Sequence, residues 1–175
     1  GGILAVFAKH GPENHFHYRS AAAGGTDWGP LKQFTPSHSS KITYANLLFL
    51  GAENEGRGRL YNFYRGLDAS FKPSFAWSDD LGESWRSGNV VIDVPTAFRH
   101  RPYAKYVSNG RDTIHVLYTD GHPRNFDNHL YHTCYREGQL RRSDGTPIRP
   151  LTEGLREPSE GTCLFHGDAN NVGWV

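Results

Sequence analysis

Four polar side chains stand at related places in runs that are otherwise apolar: His10, Tyr44, Arg65 and Tyr103. Their chemistries complement one another. A guanidinium clamps a carboxylate through paired donors, and an imidazole or a phenol beside it can take up or deliver a proton. Taken singly, each is an ordinary strand-end residue; gathered on one channel mouth, they would mark a functional site. A second group carries softer ligands. His132 and Cys134 are two residues apart, which puts both on one face of a regular strand. Imidazole and thiolate are a natural zinc pair, and His122 and Cys163 could complete a set of four. The two cysteines could equally form a disulfide in an oxidising compartment or remain as buried thiols.

Several chemistries find no support. The sequence contains no phosphate-binding glycine loop, no dinucleotide turn, no H-E-x-x-H and no G-x-S-x-G. No pair of carboxylates sits on the strands that carry the four polar residues, which argues against a two-carboxylate glycosidase. With 19 basic and 18 acidic residues, the net charge is +1, so nothing marks a nucleic-acid binder. No run approaches the roughly 20 apolar residues needed to span a bilayer. The chain opens Gly-Gly-Ile-Leu without a charged, apolar leader.

The elements that must position these residues repeat. Three apolar strands are expected at 3–8, 60–65 and 113–118, with Phe7, Phe63 and Tyr118 falling 56 and 55 residues apart. Each is followed by a strand holding an aromatic, Tyr18, Trp77 or Tyr135. Lead strands at 42–47 and 102–106 precede the second and third units, and Tyr44 and Tyr103 are 59 apart. A period of this length suits one four-stranded sheet with its loops. Units are expected at about 1–40, 41–100 and 101–160, with 161–175 opening a further one. No segment keeps a helical period, whereas glycine, asparagine, aspartate and proline punctuate the runs.

One stretch fixes the architecture more firmly than the rest. Ser78-Asp79-Asp80-Leu81-Gly82-Glu83-Ser84-Trp85 fits S-x-D-x-G-x-[S/T]-W, an Asp box, at every fixed position. Aspartate and serine satisfy turn amides, glycine supplies a positive φ, and tryptophan plugs the turn onto the sheet below. It marks the hairpin between the two outer strands of a β-propeller blade, and 142–146 reads as a worn copy. The expected fold is all-β, a β-propeller of four-stranded blades of which this chain supplies about three. Closure by radial repetition needs more than three, so the chain is read as part of a larger ring.

Taken in order, these residues resemble the propeller family with BNR-4 type repeats, which includes ulvan lyases and related enzymes cleaving rhamnose-glucuronate polymers. The resemblance is carried by Tyr44, by Tyr61-Asn62-Phe63-Tyr64-Arg65, by Arg101-Pro102-Tyr103, by Thr119-Asp120-Gly121-His122-Pro123-Arg124, and by Tyr135-Arg136-Glu137-Gly138 with Ser143-Asp144-Gly145-Thr146. It implies a seven-bladed parent and a secreted or periplasmic monomer. It also implies a lyase acting beside a uronic acid by β-elimination on an acidic polysaccharide, without nucleic acid, membrane or organic cofactor. His10 then resembles an active-site histidine, Tyr44 the catalytic tyrosine and Arg65 the arginine facing the uronate, with Tyr103, Arg101 and Arg124 as substrate-binding residues. A second family histidine lies upstream of the position of His10 and has no counterpart here. Family lyases carry a structural zinc on histidine and cysteine, which extends to His122, His132, Cys134 and Cys163. An α-L-rhamnosidase of the same group, a sialidase and a non-catalytic carbohydrate-binding propeller are the alternatives.

Overall fold

The computed structural model describes residues 2–37, 39–67, 71–93 and 101–175. Among them the chain is all-β apart from one 3-10 turn at Pro158–Glu160. Three sheets follow one another. The first is β1 (Gly2–Phe7), β2 (Phe16–Ala22) and β3 (Lys32–Phe34), in that order. The second is a four-stranded antiparallel meander of β4 (Ser39–Leu50), β5 (Arg59–Leu67), β6 (Lys72–Ser78) and β7 (Arg86–Val90). The third runs from β8 (Ala104–Ser108) through β9 (Thr113–Thr119), β10 (Leu130–Arg136) and β11 (Gln139–Arg141) to β12 (Pro147–Pro150). These strands coincide with the sequence expectations to within a few residues, because period-2 alternation and turn residues are local signals.

The last element departs from expectation. β13 (Thr162–Phe165) does not open a further sheet but pairs antiparallel with β10 in the third. The reason is an open edge: β11 covers only Cys134 to Arg136 of β10, and β13 takes up the ladder at Leu130 to His132. The unit boundary expected at residue 100 lies outside the described residues.

Alternation along β5 divides the core in two. Tyr61 and Phe63 face the third sheet, joining Phe75, Ile114, Val116, Tyr118 and Tyr135. Tyr64, one residue on, faces the first sheet with Phe16, Tyr18, Ile42 and Trp85. Each sheet is thus held to the next by a buried aromatic layer. Polar clasps reinforce both joints. Between the second and third sheets, the Tyr61 and Tyr135 hydroxyls each donate to Glu53 at 2.6 Å and lie 2.8 Å apart. Burial, and next to it the neighbouring phenol, raises the Tyr61 pKa far above its usual value; Tyr135 is pushed up to about 12, mainly by burial. Between the first and second sheets, the Ile42 amide donates to Glu13 O at 2.7 Å.

The Asp box connects β6 to β7 as the motif requires. Ser78 Oγ accepts from the Gly82 amide at 2.8 Å, and Asp80 accepts from the Ser84 amide at 2.9 Å and from its hydroxyl at 2.5 Å. Gly82 has φ of 94°, where a side chain would be strained. Asp79 turns away from this network to pair with Arg59 at 2.6 Å. Trp85 is buried and meets Phe16 edge-on at 5.4 Å and Tyr18 at 6.1 Å. The box therefore fastens two sheets as well as turning one strand. Burying that indole outweighs the turn's hydrogen bonds: Trp85→Ala is expected to cost about 3–5 kcal/mol, against about 1 kcal/mol for Asp80→Ala. Urea midpoints of the two variants test this, and equal losses would show that the turn, not the plug, sets stability.

Candidate functional site

β4 is not a regular strand. Its register to β5 slips between Thr43, opposite Arg65, and Asn46, opposite Phe63, leaving two residues of β4 facing one of β5. This is a β-bulge, a device that re-aims a side chain. Tyr44 sits in it at φ 59°, a conformation rare for a bulky residue and costing roughly 1–3 kcal/mol wherever it is kept. The bulge is held from beneath. The Asn46 amide donates to Asn62 Oδ1 at 3.1 Å, and Asn46 Nδ2 donates to Phe63 O at 3.0 Å. The outcome is a tyrosine 44% exposed and turned toward Arg65.

Arg65 lies near the end of β5, only 8% exposed. Its Nε donates to Phe71 O at 3.1 Å, whereas its Nη2 is buried without a hydrogen bond. The guanidinium carbon stands 4.6 Å from the centre of the Tyr103 ring and 5.8 Å from that of Tyr44. Both are within the range at which a cation is attracted to an aromatic face. His10, in the segment between β1 and β2, meets Tyr44 edge-on at 5.8 Å. The four residues singled out by type and spacing therefore line one cleft of about 420 Å³, with Gly11, Lys41, Thr43, Phe71, Arg101 and His122. A second hollow of about 270 Å³ adjoins it, sharing Tyr44, Arg65 and Tyr103 and adding Asn46 and Lys105.

His122 belongs to this cleft, not to a metal set. Its ring meets Tyr103 edge-on at 5.4 Å. The residues that bring it there are hydrogen-bonded turns: Tyr103 N donates to Thr119 Oγ1 at 3.2 Å, and Asn128 holds Gly121 through bonds of 2.9 and 3.1 Å. Desolvation, followed by the charges of Arg101, Arg124 and Arg65, lowers the His122 pKa below its ordinary 6.5. The ring is thus neutral at neutral pH. Nδ1 accepts the Arg124 amide at 3.1 Å, so the proton resides on Nε2 and that edge is a donor. Arg101 lines the cleft, whereas the Arg124 side chain is exposed outside it and contributes charge only.

The four sequence-derived zinc ligands are not brought together. His132 and Cys134 share a face of β10, as expected, but Cys163 opposes Tyr131 and so occupies the other face. His122 is in the cleft. His132 instead bonds His115 at 3.0 Å and Ser143 at 2.7 Å, and both cysteines are free thiols. Opposite faces also separate the cysteines that a disulfide would join. Sequence reasoning missed His115, which β9 sets directly across from Cys134, because strand register is not written locally.

Among the described residues, Lys41, Arg65 and Arg101 line the cleft and no carboxylate does, so the described lining is cationic. No family model matches the sequence, and no curated protein matches it. Among solved structures, the chain is similar to an ulvan lyase described as a new family of polysaccharide lyase, with a TM-score of 0.67 and 16% identity. The likeness is one of fold. It covers 95% of this chain and 43% of that one, so the chain spans less than half the length of its structural neighbour.

The neutral state of His122 has a measurable sign. Because its folded pKa lies below 6.5, the unfolded chain binds that proton first, and stability falls as pH drops from 6.5 through the folded value. Arg101→Gln removes one of the charges and is expected to move the His122 ring titration upward in a proton NMR series. An unchanged titration would show that desolvation alone sets it.

Proposed function

We propose that the three sheets are consecutive blades of a larger propeller, seven-bladed as in the resembling family, and that their shared cleft is the site of a polysaccharide lyase acting beside a uronic acid. The observation that carries this reading is the Arg65 guanidinium, buried with a free Nη2 and flanked by two tyrosines in a cleft whose described lining holds two further cations, Lys41 and Arg101. A buried donor without a partner is costly unless a ligand satisfies it. A sugar carboxylate supplies two acceptors in the geometry of the guanidinium fork.

The chemistry follows from that pairing. The proton at C5 of a uronate is weakly acidic, and pairing the carboxylate with Arg65 stabilises the charge that develops when it leaves. Tyr44, aimed by its bulge, takes that proton. The electron pair forms the C4–C5 double bond, the C4–O bond breaks, and His10 returns a proton to the departing oxygen. Tyr103 and Arg101 hold the sugar, and His122 donates from Nε2 to an oxygen of the ligand. The fold likeness to an ulvan lyase supports a rhamnose- and glucuronate-containing polymer as substrate. Among the described residues no carboxylate lines the cleft, which weighs against hydrolysis by paired acids.

The test is absorbance of unsaturated uronate released from ulvan. Arg65→Ala is expected to lower the rate by roughly 10²–10³-fold, and Tyr44→Phe by roughly 10²–10⁴-fold, both with polymer still bound. Saturated reducing ends in place of unsaturated ones would make the protein a hydrolase. Binding without any turnover would make it a carbohydrate-binding module.

A further inference from the structure

A separate cluster of titratable side chains lies where the β1–β2 segment enters β2. Glu13, His15 and His17 each present one ligand atom, and these atoms lie within 4.8 Å of one another. Nε2 of His17 is 2.9 Å from Glu13 Oε2, and Nε2 of His15 is 3.4 Å from the same oxygen. Ligand atoms held about 2.1 Å from a tetrahedral ion stand roughly 3.4 Å apart. The two separations from Glu13 thus lie near that spacing, and the histidine pair is within 4.8 Å.

Their surroundings orient them for it. His15 Nδ1 is 3.3 Å from Asn14 Oδ1, an acceptor, so Nδ1 carries the proton and Nε2 keeps its lone pair. That Nε2 is buried and makes no hydrogen bond, a cost that a cation would remove. His17 Nδ1 is 3.4 Å from the Gln33 amide; a half-turn of that amide presents its oxygen to Nδ1–H and frees the second Nε2 in the same way. Stacking on Phe7 at 5.2 Å fixes the His17 ring, whose side chain is only 7% exposed. Lys9 holds the other Glu13 oxygen, Oε1, at 2.5 Å.

We propose that Glu13, His15 and His17 bind a divalent cation of the zinc class, and that this ion fastens the segment carrying His10 to the start of β2. Two imidazoles and one carboxylate suit zinc and its first-row neighbours, whereas calcium and magnesium take oxygen ligands. Three protein ligands leave a fourth position for water. The segment is already pinned by two backbone bonds, Ile42 N to Glu13 O at 2.7 Å and Gly11 N to Ile42 O at 3.3 Å. The ion adds a third anchor to the segment, between Glu13 and β2, and it uses no sulfur.

Titration of the metal-stripped full chain with Co²⁺ and Zn²⁺ tests this. The cobalt spectrum is expected to show low-coordinate d–d bands without a sulfur-to-cobalt charge-transfer band, and zinc is expected to raise the thermal midpoint. Since removing an outer-shell partner typically costs 10–100-fold, Gln33→Ala should weaken binding by roughly 10-fold, and loss of a ligand in Glu13→Gln or His15→Ala by more than ~100-fold. Both ligand variants alter partly exposed side chains, and matching circular dichroism confirms that they fold. Wild-type affinity in both variants, no binding by the parent chain, or a thiolate spectrum abolished by Cys134→Ser would each overturn the assignment.

Discussion

The two-residue bulge in β4 is the constraint on which the cleft depends. A regular ladder from Thr43 to Asn46 would send Tyr44 and Arg65 to unrelated places; the slip puts the phenol over the guanidinium at 5.8 Å. It holds because Asn62, fully buried inside the sheet, replaces the missing ladder acceptor for the Asn46 amide. The left-handed backbone at Tyr44 is a local cost of roughly 1–3 kcal/mol, offset by the aromatic layers on either face of β5. A strained residue in an ion-lined hollow, supported from behind by a rigid sheet, is the arrangement expected where geometry serves chemistry and not packing.

Charge then follows from topology. Arg65 enters the cleft from β5, Arg101 from the segment that leads into β8, and Lys41 from the same strand as Tyr44. Three converging cations repel one another, and the faces of Tyr44 and Tyr103 moderate this by accepting Arg65 against their rings. Desolvation, and after it the same field, lowers the His122 pKa and leaves a neutral donor among positive neighbours. The hollow therefore carries a positive field before any ligand arrives.

Much of this was legible in the sequence, and what was not has one cause. The Asp box, the strand runs and the four cleft residues all rest on signals within a few positions or on a repeat of fixed step, and all four residues meet in the structure. What failed was register. Cys163 was grouped with Cys134, yet a one-residue difference in pairing puts them on opposite faces of the third sheet. His122 was assigned with His132 by proximity in sequence, but the turn from Thr119 to Asn128 carries it back to Tyr103. Residues 161–175 read as a new unit in the sequence, whereas an uncovered half of β10 has room for β13. The Glu13, His15 and His17 cluster had a signal, alternate histidines after an acid, that only the fold of the preceding segment turns into a site.

The hydrogen bonds that Ser78 and Asp80 make inside the turn close within four residues, whereas the Trp85 ring waits for Phe16 and Tyr18 from far earlier in the chain. Closing so short a loop sacrifices little chain entropy, and bringing the indole to its partners sacrifices much more. One eight-residue segment thus spans two stages in time: a latch that can form as soon as it is synthesised, and a bolt that slides home only once the first sheet is there to receive it.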